Sequence, residues 1–232
     1  GRGKRCPKSF ISTKTSQRQT DINSYSEMEA QAVSFLSKGE LEKAEKIYRH
    51  LISSKIINTD ILNNLAAILG KQRKFDEAID IIHAALELDP ADPDAYFNLG
   101  NAFKEKGNVR AAIDAYKITL DLNPADSSAH SSLGNVLRQD GRLDAAIVSY
   151  TNALKIKPNY PDAIADLSHC LLTLNRYPEG WEKYEWRNKR EEPSVPHAKP
   201  QSKRWNSDIP IKEIRNLLLV CEQGLGDTLQ FM

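Results

Sequence analysis

The stretch "DAYFNLGNAFKEKGNVRAAIDAYKITLDLNP" (94–124) is followed by "SAHSSLGNVLRQDGRLDAAIVSYTNALKIKP" (128–158), and the two align without a gap. Leu99-Gly100 falls on Leu133-Gly134, Ala112 on Ala146, Tyr116 on Tyr150 and Pro124 on Pro158, each at an offset of 34 residues. Self-similarity at a fixed period of this length marks an array in which one supersecondary unit is stacked on copies of itself. Moving the register outward finds Leu65, Ala66, Leu69, Ala78, Ile82 and Pro90 in 59–90, and Ala32, Phe35, Gly39, Ala44 and Tyr48 in 25–52. In 161–193 the register keeps Leu167, Leu171 and Tyr184, with Gly180 in place of the alanine. Five units result, at 25–58, 59–92, 93–126, 127–160 and 161–194, the outer two atypical as end units tend to be.

The period and the order L-G…A-x3-Y…P resemble the tetratricopeptide repeat, and this resemblance implies an all-α superhelix, a right-handed solenoid of helical hairpins. The physics of the residues agrees. Ala66, Gly100, Gly134 and Ser168 on each first helix, with Ala78, Ala112 and Ala146 on the second, allow close helix approach. Phe103, Leu137, Tyr116 and Tyr150 are bulky enough to fill the seams. Gly107 and Gly141 stand where a first helix must end in a left-handed residue. Asp92 before Pro93 is an N-cap with proline in the first helical position. Ser24 with Glu27 has the spacing of a capping box.

Composition bounds the function. A hydrophobic fraction of 40% is enough for a packed core. Lys+Arg 32 against Asp+Glu 31 leaves a charge of +1, so nothing global favours nucleic acid or an anionic membrane. Cys6, Cys170 and Cys221 are widely spaced and form no C-x-x-C, which argues against a disulfide framework or a cysteine zinc site and suits a reducing cytoplasm. The five histidines form no H-x-x-x-H cluster, so no metal or cofactor is expected. The opening 1–24 is basic and Ser/Thr-rich and reads as a disordered arm.

Family geometry implies that first-helix positions two, five, six, nine, twelve and thirteen face the inside of the superhelix. Asn63, Asn64, Phe97, Asn98, Asn101, Lys104, Asn135 and Arg138 occupy such places. An amide both donates and accepts, so a row of asparagines could hold an extended peptide by its backbone. The other reading is that these asparagines are solvated residues which the repeat tolerates. A carboxylate clamp wants lysine at the fifth position, and Glu29, Asn63, Phe97, Ser131 and Ala165 do not supply it. The expectation is a scaffold for a protein or peptide partner.

"YPEGWEKYEWRNKREEP" (177–193) brings Trp181, Tyr184 and Trp186 together, either as an end cap or as a junction to a following domain. Pro196, Pro200 and Pro210 then punctuate a linker (195–215) that contains Trp205. The final "NLLLVCEQGLGDTLQFM" (216–232) reads as a short strand and a glycine loop. The order G-W-x-x-Y-E-W-R, proline linker, W, apolar strand, E-Q-G-L-G-D-T resembles bacterial proteins in which such an array precedes a heptosyltransferase-like domain. The combined architecture is similar to the O-linked N-acetylglucosamine transferases. The resemblance implies Asp227 as a base toward an acceptor hydroxyl, whereas the residues alone favour a helix N-cap. The alternative function is therefore acceptor recruitment for a glycosyltransferase. This chain alone is expected to transfer no sugar, because the donor-binding half would lie beyond Met232, and the unpaired strand is a route to self-association.

Overall fold

The computed structural model describes residues 25–184. Among these, every regular element is a helix, ten in all. They are α1 (25–37), α2 (Leu41–Ser53), α3 (Thr59–Lys71), α4 (Phe75–Leu88), α5 (Pro93–Glu105), α6 (Val109–Leu122), α7 (Ser127–Gln139), α8 (Leu143–Ile156), α9 (Pro161–Thr173) and α10 (Tyr177–Tyr184). The arm 1–24 with Ser24 of the capping box, Trp186, the linker with Trp205, the 216–232 strand and loop, and Asp227 all lie outside the described residues.

The hairpins form because each first helix ends in the same way. Gly39, Gly107 and Gly141 take φ of 74°, 75° and 78°. The next residue then donates its N–H back across the turn: Glu40 to Phe35 (2.9 Å), Asn108 to Phe103 (2.9 Å) and Arg142 to Leu137 (2.9 Å). This is the six-to-one bond of a Schellman motif. In the two hairpins without a glycine the fold keeps the geometry, with Arg73 at φ 63° and Asn175 at φ 60°. Lys74 still bonds Leu69 (2.9 Å) and Arg176 bonds Leu171 (2.8 Å). Starts are set by side chains as well. Asp92 accepts from the N–H groups of Asp94 and Ala95, and Asp126 accepts from those of Ser128 and Ala129. Asn58 accepts from Ile61 and Asn108 from Ala111.

Packing within a hairpin depends on the small residues. A Cβ on Gly100 would come within 2.6 Å of the Tyr116 ring, and one on Gly134 within 2.7 Å of the Tyr150 ring. Both rings are fully buried. The core is continuous from hairpin to hairpin, with Ala44, Leu65 and Ala78 in its first part, Ala85, Ala95 and Leu99 in its middle, and Ala112, Leu133 and Leu167 in its last.

Between hairpins each second helix packs on the next first helix, and the remaining contacts are one-sided. α3 touches α5, α5 touches α7 and α7 touches α9, while the second helices make no comparable contacts with one another. A stack whose first helices are drawn together curves with those helices on its inner wall.

Candidate functional site

The inner wall is built by α3, α5, α7 and α9, and its polar residues divide into three groups by what they touch. Asn63 is buried, and its Nδ2 donates to Asp92 Oδ2 at 2.6 Å. It therefore ties α3 to the cap of α5. Asn98 is half-buried and makes a long bond of 3.4 Å from its Nδ2 to the Asn63 carbonyl.

Asn101 and Asn135 form the second group. Tyr116 donates its hydroxyl to Asn101 Oδ1, and Tyr150 donates to Asn135 Oδ1, both at 2.7 Å. Each tyrosine thus fixes which way its amide faces, leaving Nδ2 with no partner among the described residues. Burial pushes both phenols above their ordinary range. Ser132 on α7 opposes that rise at Tyr116, while the Asp166 charge on α9 adds to it at Tyr150.

The third group is cationic. Lys104 is half-buried and pairs with neighbouring Glu105 at 3.2 Å. Arg138 lies by Tyr150 and Asp166, and its Nε is buried without a hydrogen-bond partner among the described residues. Burial would lower its pKa, but the Tyr150 phenol and the Asp166 charge together raise it. Asn64 and Phe97 are half-buried on the same wall, and Phe97 tilts against Tyr116 with ring centroids 5.8 Å apart.

At the far end Trp181 meets Tyr184 edge-on at 5.3 Å, and Tyr184 also faces His169 at 5.6 Å. Tyr184 is thus joined to α9 as well as to its own helix.

Reading the sequence helix by helix misses the tyrosine–asparagine pairing, but comparison of corresponding positions across the hairpins contains it. The ninth and twenty-fourth positions are Val33/Tyr48, Ala67/Ile82, Asn101/Tyr116, Asn135/Tyr150 and His169/Tyr184. Where isoleucine replaces tyrosine, no amide is present. Where Val33 replaces the amide, the Tyr48 hydroxyl is buried with no partner among the described residues. Tyr48→Phe is therefore expected to leave the melting temperature unchanged or raised, because it removes an unsatisfied buried group. Tyr116→Phe and Tyr150→Phe should each cost about 1 kcal/mol, one net hydrogen bond, in thermal melts followed by circular dichroism.

Residues 97–164 match the family described as tetratricopeptide repeat, and residues 71–107 match one described as TPR repeat. Over 72 residues the chain is 35% identical to human protein O-mannosyl-transferase TMTC1; the match takes in 29% of this chain and 8% of that protein. Among solved structures it is similar to MamA, with a TM-score of 0.59 and 24% identity over 67% of this chain and 91% of that one. The Pseudomonas aeruginosa PilF structure gives a TM-score of 0.66 at 18% identity, covering 72% of this chain and 76% of that one. A thermophilic TPR protein of Thermus thermophilus gives 0.60 at 19% identity, covering 69% and 88%. At these identities the structural likeness concerns the fold: an all-helical array of the tetratricopeptide kind.

Proposed function

We propose that this chain, which carries tetratricopeptide repeats over 71–164, is a protein-binding scaffold that holds an extended peptide along its inner wall. The observation that supports this best is the fixed orientation of the Asn101 and Asn135 amides. A tyrosine hydroxyl occupies the acceptor oxygen of each, so each Nδ2 is a donor set in place before any ligand arrives. A peptide backbone offers carbonyls along its whole length, and donors already in position lose little conformational freedom on binding. No helix among the described residues is long and apolar enough to cross a membrane.

The test must remove the donors without disturbing the tyrosines. Asn101→Asp with Asn135→Asp keeps an oxygen for each phenol and replaces each NH2 by an oxygen. Peptides selected on the wild-type chain should bind the double variant at least ~tenfold more weakly, the loss expected for a hydrogen bond or two. Its melting temperature should stay close to wild type. Unchanged affinity for every selected peptide would count against the inner wall as the binding face.

A second reading has its own support. The junction order at 180–231, and the 35% identity of 72 residues of this chain to part of an O-mannosyl-transferase, suit an array that presents an acceptor protein to a glycosyltransferase. On that reading the chain alone binds the acceptor and transfers no sugar. Transfer from a nucleotide sugar by the purified chain would contradict it.

A further inference from the structure

The inner wall has a gap at the second hairpin, and the repeat register explains it. In the third and fourth hairpins the wall is filled by the tyrosine–asparagine pair and by a long side chain at the twelfth position, Lys104 or Arg138. The second hairpin has Ile82 for the tyrosine, Ala67 for the asparagine and Gly70 at the twelfth position. A cavity of about 510 Å³ lies beside Ala67 and Gly70, floored by them with Ala66 and Ala78 and walled on the other side by α5. A Cβ on Gly70 would meet nothing within 4 Å, and its backbone is ordinary helix. Packing therefore does not require the glycine there, although glycine near the end of a helix costs stability relative to alanine.

The charge around the cavity has one predominant sign. Lys71, Arg73 and Lys104 line it against the single carboxylate of Glu105. Lys71 has no ion-pair partner among the described residues. The Arg73 guanidinium stands over the Phe75 ring at 5.8 Å. Arg73 also occupies the left-handed position that three other hairpins give to glycine, at φ 63°. A side chain in that conformation strains the backbone, and such strain persists where something else favours the residue. Asn98 and Asn101 add amides to the same cavity.

We propose that this cleft between α3 and α5 receives an acidic side chain, aspartate or glutamate, from the peptide held along the inner wall. The carboxylate meets Arg73, Lys71 and Lys104 at the rim, and the chain on either side runs over the asparagine amides. Arg73 supplies a planar fork of donors suited to a carboxylate. The proposal rests on the peptide-scaffold reading above and adds the chemistry of one residue in the partner.

The experiment selects random-sequence peptides displayed on phage against the whole chain, then measures the best binder as a fluorescein-labelled synthetic peptide by anisotropy. Selected sequences should be enriched in Asp or Glu at one position. Changing that residue to its amide should weaken binding ~tenfold, as expected for loss of a charge-assisted bond. Arg73→Gly should weaken binding by a similar factor while raising the melting temperature, because it restores the residue that the turn favours. A general loss of folding would move both readings downward, so the opposite signs identify the cleft. Selected peptides without acidic enrichment, or with unchanged affinity for Arg73→Gly, would overturn the cleft assignment. If they still lose affinity for the Asn101→Asp/Asn135→Asp chain, the scaffold reading survives and the cleft alone falls. If no peptide binds the chain, both fall.

Discussion

Replacing Asp92 by alanine is expected to destabilise the array by about 2–4 kcal/mol, and the same change at Asp126 by only about 1 kcal/mol. Both residues cap a first helix by accepting from the backbone N–H groups two and three residues on. Loss of such a cap accounts for the smaller figure. Asp92 does a second thing: its other oxygen accepts the buried Nδ2 of Asn63 at 2.6 Å. The corresponding place before α7 is held by Phe97, which asks nothing of Asp126. Removing Asp92 therefore leaves a buried donor unsatisfied as well as an open helix end. Asp92→Asn tests the account further. It preserves the cap, and Asn63 can turn its amide to offer the oxygen that now has no partner. That variant should lose under about 1 kcal/mol. For a chain of this size 1 kcal/mol moves the melting temperature by roughly 2–4 °C, so the three variants are separable in one set of thermal melts. Equal losses for Asp92→Ala and Asp126→Ala would show that Asn63 contributes nothing through this bond.

The cap at Asp92 is legible in the sequence and the bond to Asn63 is not, and the difference is physical. A cap acts over two or three residues, so local spelling reveals it, as it does for Pro93 and the left-handed glycines 107 and 141. The partner at Asn63 lies 29 residues away, in the preceding hairpin. Its asparagine reads the same whether it faces a ligand or a neighbouring carboxylate. The inner-wall amides divide on that point: Asn63 is buried and committed to the fold, while Asn101 and Asn135 each keep a donor without a partner among the described residues. The cleft is harder still to foresee, since it arises where small residues stand in place of larger ones, and neither signals a cavity on its own. Ala67 and Gly70 read as a cavity only when the register shows which larger groups stand at the same places in the next two hairpins.

That register also yields a prediction in which one substitution changes sign. Gly100→Ala is expected to destabilise the native chain by about 1–2 kcal/mol, although alanine is the better helix former by about 1 kcal/mol. The new methyl would stand 2.6 Å from the Tyr116 ring, well inside the separation of about 3.5–4.0 Å at which carbons pack favourably. The ring has little room to withdraw. It is fully buried, its hydroxyl is held by Asn101 at 2.7 Å, and Phe97 stands against it. The second hairpin already contains the compatible pair, Ala66 with Ile82, both buried. In a Tyr116→Ile background the clash is gone, so Gly100→Ala should there stabilise by about 1 kcal/mol, the helix-propensity gain alone. The two measurements together define a coupling energy of about 2–3 kcal/mol, at the upper end for residues in direct contact. Gly70→Ala is the control within the same chain: its Cβ meets nothing, so it should stabilise by up to about 1 kcal/mol in either background. If Gly100→Ala stabilised the native chain as Gly70→Ala does, the Tyr116 ring would have to be free to move. Its bond to Asn101 could then not hold the amide in place, and the fixed donor on which the peptide-binding reading depends would be lost with it.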